Sequence, residues 1–181
     1  MNELKSVWAS RWIVAAILQG AIITTITLYF VIGQLGFLKP EFSRVIAGGG
    51  AGTWLTVGYI TYLIVGVVAV AVTALFYYHI EVALRKPYKG IAKVFAWIQL
   101  ILHNVGAAGA GLLMIIGGYL AGAAMLPKEV GGLGWSAGKV HTDIFYGIPL
   151  GYPFWISAFI IILAIGVILG GLGYIITWTR K

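Results

Sequence analysis

The sequence predicts an all-α integral membrane protein with four transmembrane helices in an antiparallel bundle. Hydrophobic residues make up 61% of the 181 residues and charged residues only 9%, and the charges leave four long uncharged intervals. A soluble globular domain carries about 25% charged residues. The composition therefore excludes an ordinary soluble enzyme and indicates a protein of the lipid bilayer.

The uncharged intervals set the number of spans. They begin after Arg11, Arg44, Lys93 and Asp143 and contain 27, 36, 34 and 36 residues. A helix crossing a bilayer needs about 20 mainly apolar residues, so each interval holds one span. We place the spans near 12–35, 53–83, 93–125 and 152–178, with outer loops at 36–52 and 126–151, in one domain over 1–181. Residues 160–169 lack the alternation of a membrane β-strand, which favours helices.

Basic residues predict the orientation. Eight of the twelve Lys and Arg residues, Lys181 included, fall on the side that carries both termini and the loop between spans two and three. Basic residues concentrate in cytoplasmic loops. Both termini are therefore expected in the cytoplasm. Because the basic residues are scattered along the chain, we expect no nucleic-acid partner despite the net charge of +7.

The two outer loops differ in composition. Four of the five residues 48–52 are glycine, but no Lys-Ser/Thr pair follows and no strand precedes, so a phosphate loop is not indicated. A flexible hinge before span two is expected instead. The second outer loop combines aromatic residues and prolines from Phe145 to Pro153, and we expect it to be ordered against a partner or the lipid headgroups.

Small residues at four-residue spacing predict close helix packing, either within the bundle or against another subunit. The positions are Gly106, Ala110, Gly118 and Gly122 in span three, and Gly166 and Gly170 in span four. Aromatic residues of span two, Tyr59, Tyr62, Phe76, Tyr77 and Tyr78, are expected to fill the grooves beside them. Tryptophans near the span ends, including Trp8, Trp12, Trp54, Trp135, Trp155 and Trp178, are expected to anchor the helices at the membrane interfaces.

Three polar residues lie inside span three. His103 follows Lys93 by ten residues, which places it about 15 Å along the helix. Gln99 precedes it by one turn, and Asn104 adjoins it. Intramembrane polar residues indicate function, so His103 is a candidate haem ligand or proton-relay residue. The alternative is a neutral structural imidazole whose tautomer is fixed by Gln99.

His79 in span two is the candidate second ligand of a b-type haem. It lies six residues before Arg85, so its depth differs from that of His103 by about 6 Å. An interfacial pair of His79 with Glu81 is therefore preferred. The chain contains no cysteine, and no metal site or catalytic residue is predicted.

These observations predict a small accessory subunit of a larger membrane complex, with no catalytic activity of its own. A respiratory oxidoreductase such as a terminal oxidase is the expected parent, by analogy of class alone. The expected partners are other integral membrane subunits and lipids in the plasma membrane. The cofactor is undetermined, with haem as the candidate. Two alternatives remain open, a small b-type cytochrome with an intramembrane histidine ligand and a small-molecule transporter.

Overall fold

The computed structural model describes residues 5–180 and is helical, with no strand in that range. Helix α1 spans Val7–Ile32 and continues as a wider π-helical turn, Gly33–Phe37. It is followed by α2 (Phe42–Ala47), α3 (Gly50–Ala83), α4 (Ile91–Met125), α5 (Ala137–Val140, extended by the π-helical turn His141–Phe145) and α6 (Gly151–Thr179). Of these, α1, α3, α4 and α6 are long and apolar enough to cross a membrane.

The four long helices coincide with the four segments predicted as spans, each with ends within a few residues of the prediction. Lys181, which entered the charge count, lies outside the described residues. The glycine-rich part of the first outer loop is a tight connection between α2 and α3. Gly49 and Gly50 have φ angles of 63° and 54°, which glycine adopts without the penalty that a Cβ would bring.

The chain divides into two compact units, and each unit contains a segment of all four long helices. Within the described residues, the first unit comprises 5–20, 63–108 and 159–180, and the second comprises 21–62 and 109–158. Helix α3 changes unit within the π-helical turn Tyr62–Val68.

The core of the first unit is aromatic. Trp8 and Trp12 are only 3% and 0% exposed, and both rings stack on Tyr77 of α3, with centroids 5.7 and 5.9 Å away. The prediction that these two tryptophans anchor the chain at the membrane interface is therefore wrong. Burial of an aromatic ring within a helix bundle gives it dispersion contacts on both faces, and Tyr77 supplies them here.

Hydrogen bonds at one end of the first unit tie its segments together. Ser6 caps α1, because its Oγ accepts from Ala9 N at 3.0 Å. The same hydroxyl donates to the carboxylate of Glu81, which also accepts from Trp8 N at 3.0 Å. Glu81 thus contacts the N-terminus of α1 and not His79. At the same end, in the loop that follows α3, Lys86 Nζ donates to the carbonyls of Trp178 and Arg180 at 2.5 and 2.7 Å.

The second unit has two hydrophobic clusters. Phe42, Val45 and Leu55 form one, and Tyr119 packs against it with a ring-centroid distance of 4.7 Å to Phe42. Ala121, Ala124 and Val140 form the other. This second cluster holds α5 against α4, so the loop predicted at 126–151 is structured by packing within its own chain.

The predicted small residues pack within the chain. A Cβ on Gly106 would lie 2.7 Å from Leu163 N and Phe159 O of α6, and one on Gly118 would collide with Leu55 N of α3. Gly122 abuts Gly52 and Val45, Gly166 abuts His103 N, Gly170 abuts Gln99, and Ala110 is buried. The small residues were predicted to pack either within the bundle or against another subunit, and in the structure they pack within the bundle.

The aromatic residues predicted to fill grooves on α4 behave differently from one another. Tyr62 lies over Gly111, where an added Cβ would be 2.8 Å from Tyr62 Cδ2. Phe76 and Tyr78 are exposed, so the prediction is wrong for these two. Trp54, Trp155 and Trp178 are exposed, as interfacial anchors require.

Candidate functional site

A cleft of about 620 Å³ opens in the first unit between α3 and α6. Its floor is formed by α4, through Gln99 and His103, and Tyr88 of the α3–α4 loop closes one end. Helix α3 contributes Val65, Ala69, Val72, Thr73, Phe76 and Tyr77. Helix α6 contributes Leu163, Val167, Gly170, Gly171, Tyr174 and Ile175. None of these lining residues is charged.

His103 is almost fully buried, with 3% of its surface exposed. Its Nε2 lies 3.0 Å from the carbonyl oxygen of Val65. A carbonyl only accepts, so Nε2 carries the proton and donates it, and Nδ1 of the neutral ring is left as an acceptor. Nδ1 has no hydrogen-bond partner among the described residues. An unsatisfied buried polar atom costs about 1–3 kcal/mol.

Val65 offers its carbonyl because α3 is wound irregularly at this point. Residues Tyr62–Val68 form a π-helical turn, in which the backbone bonds one residue further along than in an α-helix. Such turns commonly occur at functional sites. The prediction that Gln99 fixes the histidine tautomer is wrong, since Val65 does so.

Gln99 has another partner. Its Oε1 accepts from the Tyr77 hydroxyl at 2.7 Å. Asn104 faces α1, where its Oδ1 accepts from Gln19 Nε2 at 3.0 Å, while its own Nδ2 donates to Leu100 O at 2.7 Å. Of the three predicted polar residues of α4, Gln99 and His103 therefore line the cleft and Asn104 does not.

Tyr88 is a site residue that the sequence analysis missed. Its ring packs on Tyr77 with centroids 4.9 Å apart. Its hydroxyl is buried with no hydrogen-bond partner among residues 5–180. Burial raises the pKa of Tyr88 above its usual value, so the hydroxyl stays protonated and can donate. Nothing in the sequence marks Tyr88 as a site residue, because it lies in a basic loop, where a polar side chain is expected in any case.

The structure does not bring His79 to His103. His79 is exposed and lies outside the cleft lining. The residues around His103 do not fit a bis-histidine haem, because Nε2 is held by Val65 and the lining offers no second histidine and no cation for haem propionates. Within the described residues, no group of three His, Cys, Asp or Glu side chains is placed to hold a metal ion.

In the second unit, His141 and Asp143 are two residues apart and have different partners. Asp143 accepts from Lys139 Nζ at 2.7 Å and from the Thr142 hydroxyl at 2.9 Å. The imidazole of His141 packs against Tyr146, with ring centroids 5.0 Å apart. The hydrogen bonds to Asp143, chiefly that from Lys139, lower the pKa of its exposed carboxyl.

Comparison with known protein families, with curated proteins and with solved structures finds no match for this chain.

Proposed function

We propose that this chain is a small accessory subunit of a larger membrane complex, with a respiratory oxidoreductase such as a terminal oxidase as the parent. In this proposal the four long helices cross the plasma membrane in antiparallel order, with both termini in the cytoplasm. The distribution of basic residues, eight against four, supports that orientation. The expected partners are other integral membrane subunits and lipids.

The proposal is supported mainly by two exposed leucines in the segment between α4 and α6. Backbone hydrogen bonds order this segment, from Gly134 N to Leu126 O at 2.8 Å and from Trp135 N to Ala124 O at 2.9 Å. It nevertheless exposes Leu133 by 47% and Leu150 by 62%. These two side chains lie outside the long helices, where a neighbouring subunit would cover them.

Native purification tests this proposal. The tagged chain, extracted in mild detergent, should copurify with subunits that carry redox cofactors, identified by mass spectrometry and by absorption spectra. Leu133→Glu should release them, because it would place a charge in the contact. Lys128→Glu, at an exposed and already charged position, is the matched control. Recovery of the wild-type chain alone, or unchanged copurification of Leu133→Glu, would contradict the proposal.

A further inference from the structure

We infer that the cleft between α3 and α6 binds a neutral, membrane-soluble molecule with a hydroxyl-bearing ring, of the quinol class. The ring hydroxyl donates a hydrogen bond to Nδ1 of His103, and an apolar tail follows the walls of the cleft. This inference goes beyond the accessory role proposed above and does not depend on it, because binding is a property of this chain alone.

The lining determines the charge of the ligand and its route of entry. The side chains around the cleft are apolar apart from a few neutral hydrogen-bonding groups, and none is charged. A phosphate or carboxylate would find no counter-ion there, so the ligand is neutral. Val72, Phe76 and Ile175 line the cleft and are exposed on the outer surface of their helices. The opening therefore faces the side on which lipid would lie.

Buried polar atoms determine which hydrogen bonds the ligand can make. Among the described residues, three such atoms have no partner: Nδ1 of His103, the Tyr88 hydroxyl and Nε1 of Trp12. His103 and Tyr88 line the cleft, whereas Trp12 does not. His103 Nδ1 is an acceptor, because Nε2 already donates to Val65 O at 3.0 Å, and the Tyr88 hydroxyl is a donor. A ligand hydroxyl can donate to Nδ1 and an acceptor oxygen can receive the Tyr88 hydroxyl, whereas a hydrocarbon satisfies neither atom.

The position of His103 favours a ring over a lipid headgroup. His103 follows Ile91, the first residue of α4, by twelve residues, which corresponds to about 18 Å of helix. A phospholipid headgroup stays at the interface, but the neutral ring of a quinol can enter the hydrocarbon layer. Phe76 and Tyr174 contact each other edge to face across the cleft, with centroids 6.2 Å apart, and offer aromatic surface to a planar ligand.

Binding can be measured with the purified full chain in lipid nanodiscs. The probe is a benzoquinol with a ten-carbon chain. Its quinone form and dodecanol are the comparison ligands. The ring of Trp12 lies 5.5 Å from that of His103, so tryptophan fluorescence should report occupancy. We expect saturable binding of the quinol, at least tenfold tighter than that of the quinone, which has no hydroxyl to donate, or of dodecanol, which has no ring.

Variants distinguish binding in this cleft from nonspecific partitioning of the probe into the lipid. His103→Ala should weaken quinol binding at least tenfold. Gly171→Leu should do the same without removing a polar group, because Gly171 lines the cleft and its Cβ position is open. Gly20→Leu, at an equally open glycine of α1, and His79→Ala, outside the cleft lining, should bind as the wild type does.

Four results would overturn the inference: equal quinol binding by the wild type and Gly171→Leu, preference for the quinone, equal binding of dodecanol, or a Soret band in the purified chain that His103→Ala abolishes. The last result would assign the cleft to haem. Failure to copurify with other subunits would leave this measurement unaffected, so the two proposals can fail separately.

Discussion

Several polar side chains of the first unit form hydrogen bonds to a helix other than their own. Glu81 of α3 joins the N-terminus of α1, Tyr77 of α3 joins Gln99 of α4, and Gln19 of α1 joins Asn104 of α4. Helices in lipid gain little from apolar exclusion, so such polar contacts contribute to holding them together.

The contact between Ser6 and Glu81 can be tested with Ser6→Ala. The change removes the α1 cap and one hydrogen bond to the Glu81 carboxylate, and we expect a loss of about 1–2 kcal/mol in the free energy of unfolding. Unfolding in mixed micelles of SDS and a mild detergent, followed by tryptophan fluorescence, measures it. The control is Ser10→Ala, because the Ser10 hydroxyl donates to the carbonyl of Ser6 and to no other described residue. Equal stability of the two variants would contradict the assigned cap.

We expect the contact between Lys139 and Asp143 in the second unit to depend on pH. The hydrogen bonds from Lys139 and Thr142 favour its charged form and lower its pKa below the ordinary value of 3.8. The contact between Lys139 and Asp143 therefore stabilises α5 above that value and is lost as the pH falls through the lower, folded pKa. An NMR titration of the Asp143 carboxyl in micelles should show this midpoint. Lys139→Met should move it upward, and an unmoved midpoint would contradict the contact.

At the scale of helices, glycine determines how closely neighbours approach. The positions at four-residue spacing were found from the sequence, because backbone contact in lipid selects the smallest residues. Gly58 was missed, although a Cβ there would lie 2.6 Å from Met114 Cβ. Trp54 and Tyr62 occupy the positions four residues before and after it, so Gly58 is not part of a four-residue pattern of small residues.

Gly106→Ala should destabilise the first unit. The added methyl would lie 2.7 Å from two backbone atoms of α6, which cannot move aside as a side chain can, and overpacking costs about 1–3 kcal/mol. Gly171→Ala in α6 meets open space and should not destabilise the unit, because alanine is favoured over glycine inside a helix by up to about 1 kcal/mol. Thermal unfolding in detergent compares the pair, and similar melting temperatures would show that Gly106 does not set the α4–α6 distance.

Lys86→Met should loosen the last turn of α6. The Lys86 ammonium donates to two terminal carbonyls, and a cation at a helix C-terminus stabilises it by about 0.3–1 kcal/mol. Hydrogen exchange of the final turn should accelerate by up to about fivefold. Lys89 in the same loop makes no hydrogen bond to any described residue, so Lys89→Met should leave that exchange rate unchanged. Equal protection in both variants would be evidence against the cap.

For the whole molecule, the number and limits of the long helices were predictable, because each charge in the interior of a bilayer is costly and the uncharged intervals therefore mark the spans. The site was predictable only in part. His103 and Gln99 were found as polar residues inside a span. The role of Val65 was not predictable, because it contacts His103 through its backbone carbonyl, which every residue type has. Trp12 was predicted at the membrane interface and is buried instead, because the sequence does not distinguish a buried tryptophan from an interfacial one.

The proposed orientation can be tested by cysteine labelling, because the chain has no cysteine of its own. Lys89→Cys and Lys128→Cys place single thiols at exposed positions in the α3–α4 loop and the α4–α6 segment. An impermeant maleimide added to intact cells should label Lys128→Cys, and should label Lys89→Cys only after permeabilisation. The opposite pattern would reverse the orientation, and equal labelling would refute the arrangement of four spans.

The π-helical turn at Tyr62–Val68 contains about one residue more than regular α-helical winding needs for the same rotation. Deleting one residue there would restore regular winding while residues 69–83 kept their face, so Tyr77 would keep Gln99. The carbonyl of Val65 would then be bonded within the helix, and His103 would lose its acceptor. Shortening this stretch should thus disturb the cleft more than the aromatic core of the first unit, although no cleft side chain is exchanged for another.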